Sequence, residues 1–121
     1  MRIFKSKWFS RYARKEKITD KQLKDAIDNV HKGLVDCNYQ DGVIKQRIAR
    51  SGQGKSGGYR SIILYHFKSH AFFIFCYSKN EKSDLEPNEI KTFKALSKEY
   101  MQLTDNQIQE LIELNELTEV K

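Results

Sequence analysis

The chain is poor in residues that tie a structure to a metal, a membrane or an oxidising compartment. Its 121 residues include two cysteines, three histidines and one proline. Cys37 and Cys76 lie far apart without metal-ligand spacing, and Cys76 sits inside an apolar run as a small buried hydrophobe. His31, His66 and His70 stand near no Cys, Asp or Glu at ligand spacing, so neither a metal nor another cofactor is expected. No run approaches the roughly 18 apolar residues of a membrane span. Met-Arg-Ile-Phe is followed by charge, not by the apolar stretch of a signal peptide. These absences point to a reduced, cytoplasmic protein. There is no G-x-S-x-G elbow, internal repeat, low-complexity segment or linker. The length fits one domain, residues 1–121, with a small core.

Acidic residues are also scarce where it matters. The net charge is +6, but it is unevenly spread. Residues 1–60 carry 15 basic and 6 acidic side chains, and residues 61–121 carry 7 and 10. The basic half should attract nucleic acid or another acidic partner. Its centre is KQRIARSGQGKSGGYR, from Lys45 to Arg60. There Lys45, Arg47, Arg50, Lys55 and Arg60 surround a glycine-rich turn with no acid among them. Phosphate is the natural target of such a cluster, because guanidinium forks match its oxygens. Gly54-Lys55-Ser56 has the look of a P-loop end. However, the required earlier glycine is Ala49, and strands rather than a strand and a helix flank the loop.

The pattern along the chain predicts an α+β fold. Residues 2–6 read as a short strand, and residues 7–16 as a helix grouping Trp8, Phe9 and Tyr12. Thr19 with Gln22 opens a second helix through a capping box. Leu23, Ala26, Ile27, Val30 and Leu34 keep its spacing, and Asp41-Gly42 forms a turn. Val43, Ile44 and Ile48 mark a strand before the glycine loop. Tyr59 to Phe67 and Ala71 to Tyr77 are the strongest strands, joined as a hairpin and apolar on both faces. Pro87 suits the start of a helix carrying Ile90, Phe93, Leu96 and Tyr100. Thr104 with Gln107 opens a final helix over 104–119, with Ile108, Leu111 and Ile112 apolar and Glu110, Glu113, Glu116 and Glu119 solvated. That helix either covers an apolar surface or lies near the basic site as a mobile segment.

Alternation puts Lys45 and Arg47 on one strand face. Arg60 begins the next strand, and Lys79 and Lys82 follow the third. Neighbouring strands would gather these cations at one end of the sheet. Tyr59, Tyr65 and Tyr77 are candidate stacking planes for single-stranded RNA. The plainer reading is a solvated basic face with packed tyrosines.

Three blocks, MRIFKSKWFSRYARKE, GVIKQRIARSGQGKSGGYRSIILY and YSKNEKSDL, resemble the RelE/HigB superfamily of bacterial type II toxins, HigB-like members above all. The resemblance spans roughly residues 1–100. It implies a RelE-like, microbial RNase-like fold: a small antiparallel sheet with helices packed on it. It also implies an mRNA interferase, a metal-independent endoribonuclease that cuts codons in the ribosomal A site through 2′-hydroxyl attack. The implied partners are the ribosome, its mRNA and a neutralising helix-turn-helix antitoxin. On this reading Arg60 stabilises the transition state. Lys55, Glu81 and Lys79 join it as catalytic candidates, and neighbouring cations favour the neutral form of Lys55. Lys45, Arg47, Arg50 and Lys82 hold RNA, with Tyr59, Tyr65 and Tyr77 as its stacking planes. One departure is plain. Some relatives carry an arginine and, six residues on, a catalytic tyrosine, where this chain has Asn80 and Glu86. Either Lys55, Glu81 or His66 then acts as base, or the rate is lower. ParE relatives share the fold yet poison gyrase without cleaving RNA. A plain nucleic-acid-binding module is the third reading.

Overall fold

The computed structural model of the chain describes residues 1–50, 54–66 and 68–121, without the side chains of residues 50 and 54–57. The elements run β1 (Arg2–Ser6), α1 (Lys7–Glu16), α2 (Asp20–His31), β2 (Cys37–Gln40), β3 (Val43–Arg50), β4 (Gly54–His66), β5 (His70–Ser78), α3 (Pro87–Met101), α4 (Asp105–Glu113) and β6 (Leu117–Glu119). The strands form one sheet in the order β2-β3-β4-β5-β1-β6. All neighbours are antiparallel except β1, which lies parallel to β5. The fold is therefore α+β with a mostly antiparallel open sheet.

Local chemistry sets the helix starts. The Ser6 hydroxyl accepts from Phe9 N at 3.0 Å and caps α1. The capping boxes at Thr19/Gln22 and Thr104/Gln107 are both formed. Each face of the sheet then receives its own pair of helices. On one side Phe9, Tyr12, Ala13, Leu23, Ile27 and Val30 of α1 and α2 pack on Ile44, Ile48, Tyr59, Ile63 and Phe73. On the other, Ile90, Phe93, Leu96 and Ile108 of α3 and α4 pack with Phe4, Val43, Ile62, Leu64, Phe72 and Tyr77. Phe4, Phe9, Phe72 and Phe73 are wholly buried, each contributing on the order of 1.5–3 kcal/mol. Apolar residues on both faces of β4 and β5 thus mean two cores, not one.

Several boundaries differ from the sequence reading. Helix α2 stops at His31, and Gly33 at φ +79° turns the chain, so Leu34 is 61% exposed. Strand β2 was not foreseen. Most of the glycine segment is strand: β4 begins at Gly54, which pairs with Arg50. The turn residues 51–53 and Phe67 lie outside the described residues. The final helix ends at Glu113 rather than near 119. After it, β6 pairs with β1, and Glu119 forms an ion pair with Arg2 at 2.9 Å instead of facing water on a helix.

Candidate functional site

Strand pairing builds a row of polar side chains on the α3 face. Arg47 of β3 lies opposite Arg60 of β4, and Arg60 lies opposite Tyr77 of β5. Lys45, two residues before Arg47, shares that face. Two like charges directly opposite on a sheet repel. Asp36, from the α2–β2 link, lies among them. Its carboxylate is 3.0 Å from Arg47 Nε, 3.7 Å from Arg60 Nε and 3.8 Å from Lys45 Nζ. Asp84 adds a second anion, accepting from Tyr39 OH at 2.9 Å and lying 3.3 Å from Lys45 Nζ. The Leu85 amide also donates to Asp84, and this bond leads the effects that hold its carboxyl below the usual range.

The position of Asp36 is set from the other side of the sheet. Buried Gln46 accepts from the Asp36 amide at 3.0 Å and donates to Leu34 O at 2.8 Å and Ala26 O at 3.3 Å. One amide side chain therefore ties α2, the link and β3 together. Asp36, Asp84 and Gln46 were missed by the sequence reading.

Arg60 is the anomaly. Its residue is only 6% exposed, and Nη1 is buried with no hydrogen-bond partner among the described residues. The hydroxyl of Tyr77, its cross-strand neighbour, is buried and unpartnered too. Burial first, then the charge of Asp84, pushes the Tyr77 phenol up to about 12, so it is a neutral donor near pH 7. An unsatisfied buried donor costs roughly 1–3 kcal/mol. Two such donors on neighbouring strands are a departure from the usual pairing of buried polar groups.

The other candidates are divided between the two faces. Tyr59, adjacent to Arg60 in the chain, must point the other way. It is buried against Tyr12 and donates to Glu16 at 2.9 Å. Tyr65 shares that side, with its ring 6.0 Å from His31. A platform of three tyrosines beside Arg60 is thus not formed; Tyr77 alone is there. Glu81 also belongs to the α1 side. It accepts from Tyr12 OH and, at 3.0 Å, from Ser78 N. The Tyr12 bond first, and the Ser78 bond next, hold its carboxyl below the usual range. Glu81 is engaged with α1 rather than grouped with Arg60.

Lys79 is exposed in the turn after Ser78, which pairs with Tyr59 at the same sheet end as Arg60. Lys82 is tied to Glu89 of α3 at 2.8 Å. The side chains of Arg50 and Lys55 lie outside the described residues. His66 is six residues along β4 from Arg60, about 20 Å at strand rise, with Nε2 3.5 Å from Ser97 Oγ. Burial holds it below the usual histidine range. It sits too far away to serve as base at Arg60.

Among the described residues no group of His, Cys, Asp and Glu could hold a metal ion, and no helix is long and apolar enough to cross a membrane. A hollow of about 520 Å³ opens at the α1–α2 junction, lined by Lys15, Lys17, Thr19, Gln22 and Tyr59 among others. Residues 1–120 match the family model described as the RelE toxin of the RelE/RelB toxin–antitoxin system.

Proposed function

This chain belongs to the family of RelE toxins of RelE/RelB toxin–antitoxin systems, and we propose that it is an endoribonuclease that cuts message on the ribosome. The family implies an antitoxin partner of the RelB type. A helix-turn-helix architecture for that partner, and a cytoplasmic setting, belong to the proposal.

Arg60 carries the reading. Its guanidinium keeps one nitrogen without a partner among the described residues, as does the hydroxyl of its cross-strand neighbour Tyr77, and Arg47 and Lys45 reach the same carboxylate that it does. In the proposed reaction the 2′-oxygen bonds to the adjacent phosphorus and the bond to the 5′-oxygen breaks. The products are a 2′,3′-cyclic phosphate and a free 5′-hydroxyl. The 2′-hydroxyl proton goes to a base, and an acid protonates the leaving oxygen. Arg60 and Tyr77 meet the charge that grows on the phosphorane. Lys55 and Lys79, on the segments flanking that end of the sheet, are the proposed proton carriers. Asp36 stands in for the substrate: its carboxylate holds the cations that a phosphate would take over.

The test is message mapping on purified ribosomes. Cuts within translated codons, ending in a cyclic phosphate, are expected. Intact message with blocked gyrase supercoiling would replace this reading with the ParE-like one. Intact message with salt-sensitive RNA binding alone would leave a binding module.

A further inference from the structure

Strand β1 covers β5 only from His70 to Phe73. Beyond that, the start of α1 takes its place, with Ser6 Oγ donating to Ile74 O at 3.3 Å. This brings Trp8 onto the side of β5. The Trp8 ring lies 4.7 Å from Phe75 and is stacked on Tyr12 at 5.3 Å with only 13° between planes. Phe75 in turn lies 6.0 Å from the Tyr77 ring. An aromatic row therefore runs from Arg60's cross-strand neighbour out to Trp8, which keeps 44% of its surface exposed.

The surroundings of Trp8 are cationic. Trp8, Arg11, Tyr12 and Lys15 line a hollow of about 260 Å³. Lys7, Arg11 and Arg14 are exposed on α1, and no ion pair among the described residues engages them. Two acids lie nearby: Glu16, the one acid of α1, accepts from Tyr59, and Glu81 accepts from Tyr12 and feels the charge of Lys15, so cations still outnumber acids around Trp8. A half-exposed aromatic ring with an excess of guanidinium and ammonium groups around it suits a base on an anionic backbone. An apolar partner would leave these charges unmet, and an acidic helix would meet the charges without supplying a flat ring to stack on Trp8.

We propose that Trp8, backed by Tyr12 and Phe75 and flanked by Arg11 and Lys15, stacks a base of single-stranded RNA that extends from the phosphate held at Arg60. The assignment rests on the endonuclease reading but has its own readout. Trp8 is the chain's one tryptophan, so its emission reports this face directly.

A short single-stranded RNA, 2′-O-methylated to prevent cleavage, is titrated at low salt. Saturable quenching of Trp8 is expected. By anisotropy of labelled RNA, Trp8→Ala should bind about 10- to 100-fold more weakly, the scale of losing one stacked base. Trp8→Phe should recover most of that loss, and Lys15→Glu should weaken binding and flatten its salt dependence. RNA binding with unchanged emission and an unimpaired Trp8→Ala variant overturns the platform. So does absence of RNA binding at low salt, or quenching by a protein partner and not by RNA. Message cleavage by the native chain on ribosomes, measured in parallel, shows whether the endonuclease reading stands or falls separately.

Discussion

The two groups of cations in this protein are held in opposite ways. On the α3 face, Lys45, Arg47 and Arg60 converge on Asp36, and the Lys45 and Arg60 side chains are only 14% and 7% exposed. On α1, Lys7, Arg11 and Arg14 stand in solvent without an ion pair among the described residues. The first arrangement is stiff. Its charges are aimed in advance, at the cost of a guanidinium nitrogen left unsatisfied. The second is soft and gives little direction, but its whole charge is open to long-range attraction. A pre-aimed group suits the reacting phosphate, and free charge suits the approach and path of the strand.

The comparison breaks most clearly on cleavage rate. Arg60→Ala should lower single-turnover cleavage of ribosome-bound message by roughly 10²–10³-fold, the scale of one transition-state donor. Arg11→Ala should lower it no more than about tenfold. Equal losses would mean that the buried and exposed cations do the same work. Stability gives the next largest contrast. Asp36→Ala leaves Arg60 and Arg47 facing each other with no anion between them, and should cost about 2 kcal/mol by urea unfolding. Neutralising Arg14, exposed and without an ion pair among the described residues, should change stability by less than about 0.5 kcal/mol. Gly42→Ala tests the packing of α3 on this face. Gly42 has φ +80°, and a Cβ there would lie 2.8 Å from the Oγ of buried Ser97. A loss of about 1–2 kcal/mol is expected.

How far the sequence revealed this arrangement follows from the range of each interaction. The row of Arg47, Arg60 and Tyr77 was within reach, because alternation and strand adjacency are local rules. The same rule already separates Tyr59 from Arg60, and grouping them overlooked it. Trp8, Phe9 and Tyr12 were legible as one helix. Which of them stays exposed depends on where β1 ends beside β5, which no helical period encodes. Asp36 and Asp84 come from irregular links with no periodicity to betray them. The Tyr12–Glu81 contact joins residues 69 apart, and β6 has only three residues, too few to show a pattern.

Salt dependence sharpens the comparison at smaller scale. Each phosphate contact to single-stranded RNA contributes about 0.7 to the slope of log K against log salt. Removing Arg11 should reduce the slope by about that much. Removing Arg47 should reduce it by less, since Asp36 already neutralises Arg47 before RNA arrives and no full counterion is released from it.

The smallest expected effect is on acid stability. Glu81 is held below its ordinary 4.5 by the Tyr12 hydroxyl and the Ser78 amide. A carboxylate depressed in the folded state adds stability above the unfolded value, and that stability fades as pH falls through the folded one. Native protein should therefore lose stability below about pH 4.5, and Glu81→Gln should lose less over the same interval. Glu81 faces α1, so the change should leave Arg60-dependent cleavage near its native rate at neutral pH. A large loss of cleavage together with a flattened acid limb would move Glu81 from the packing of α1 to the chemistry of the site, and the division between the two faces would no longer hold.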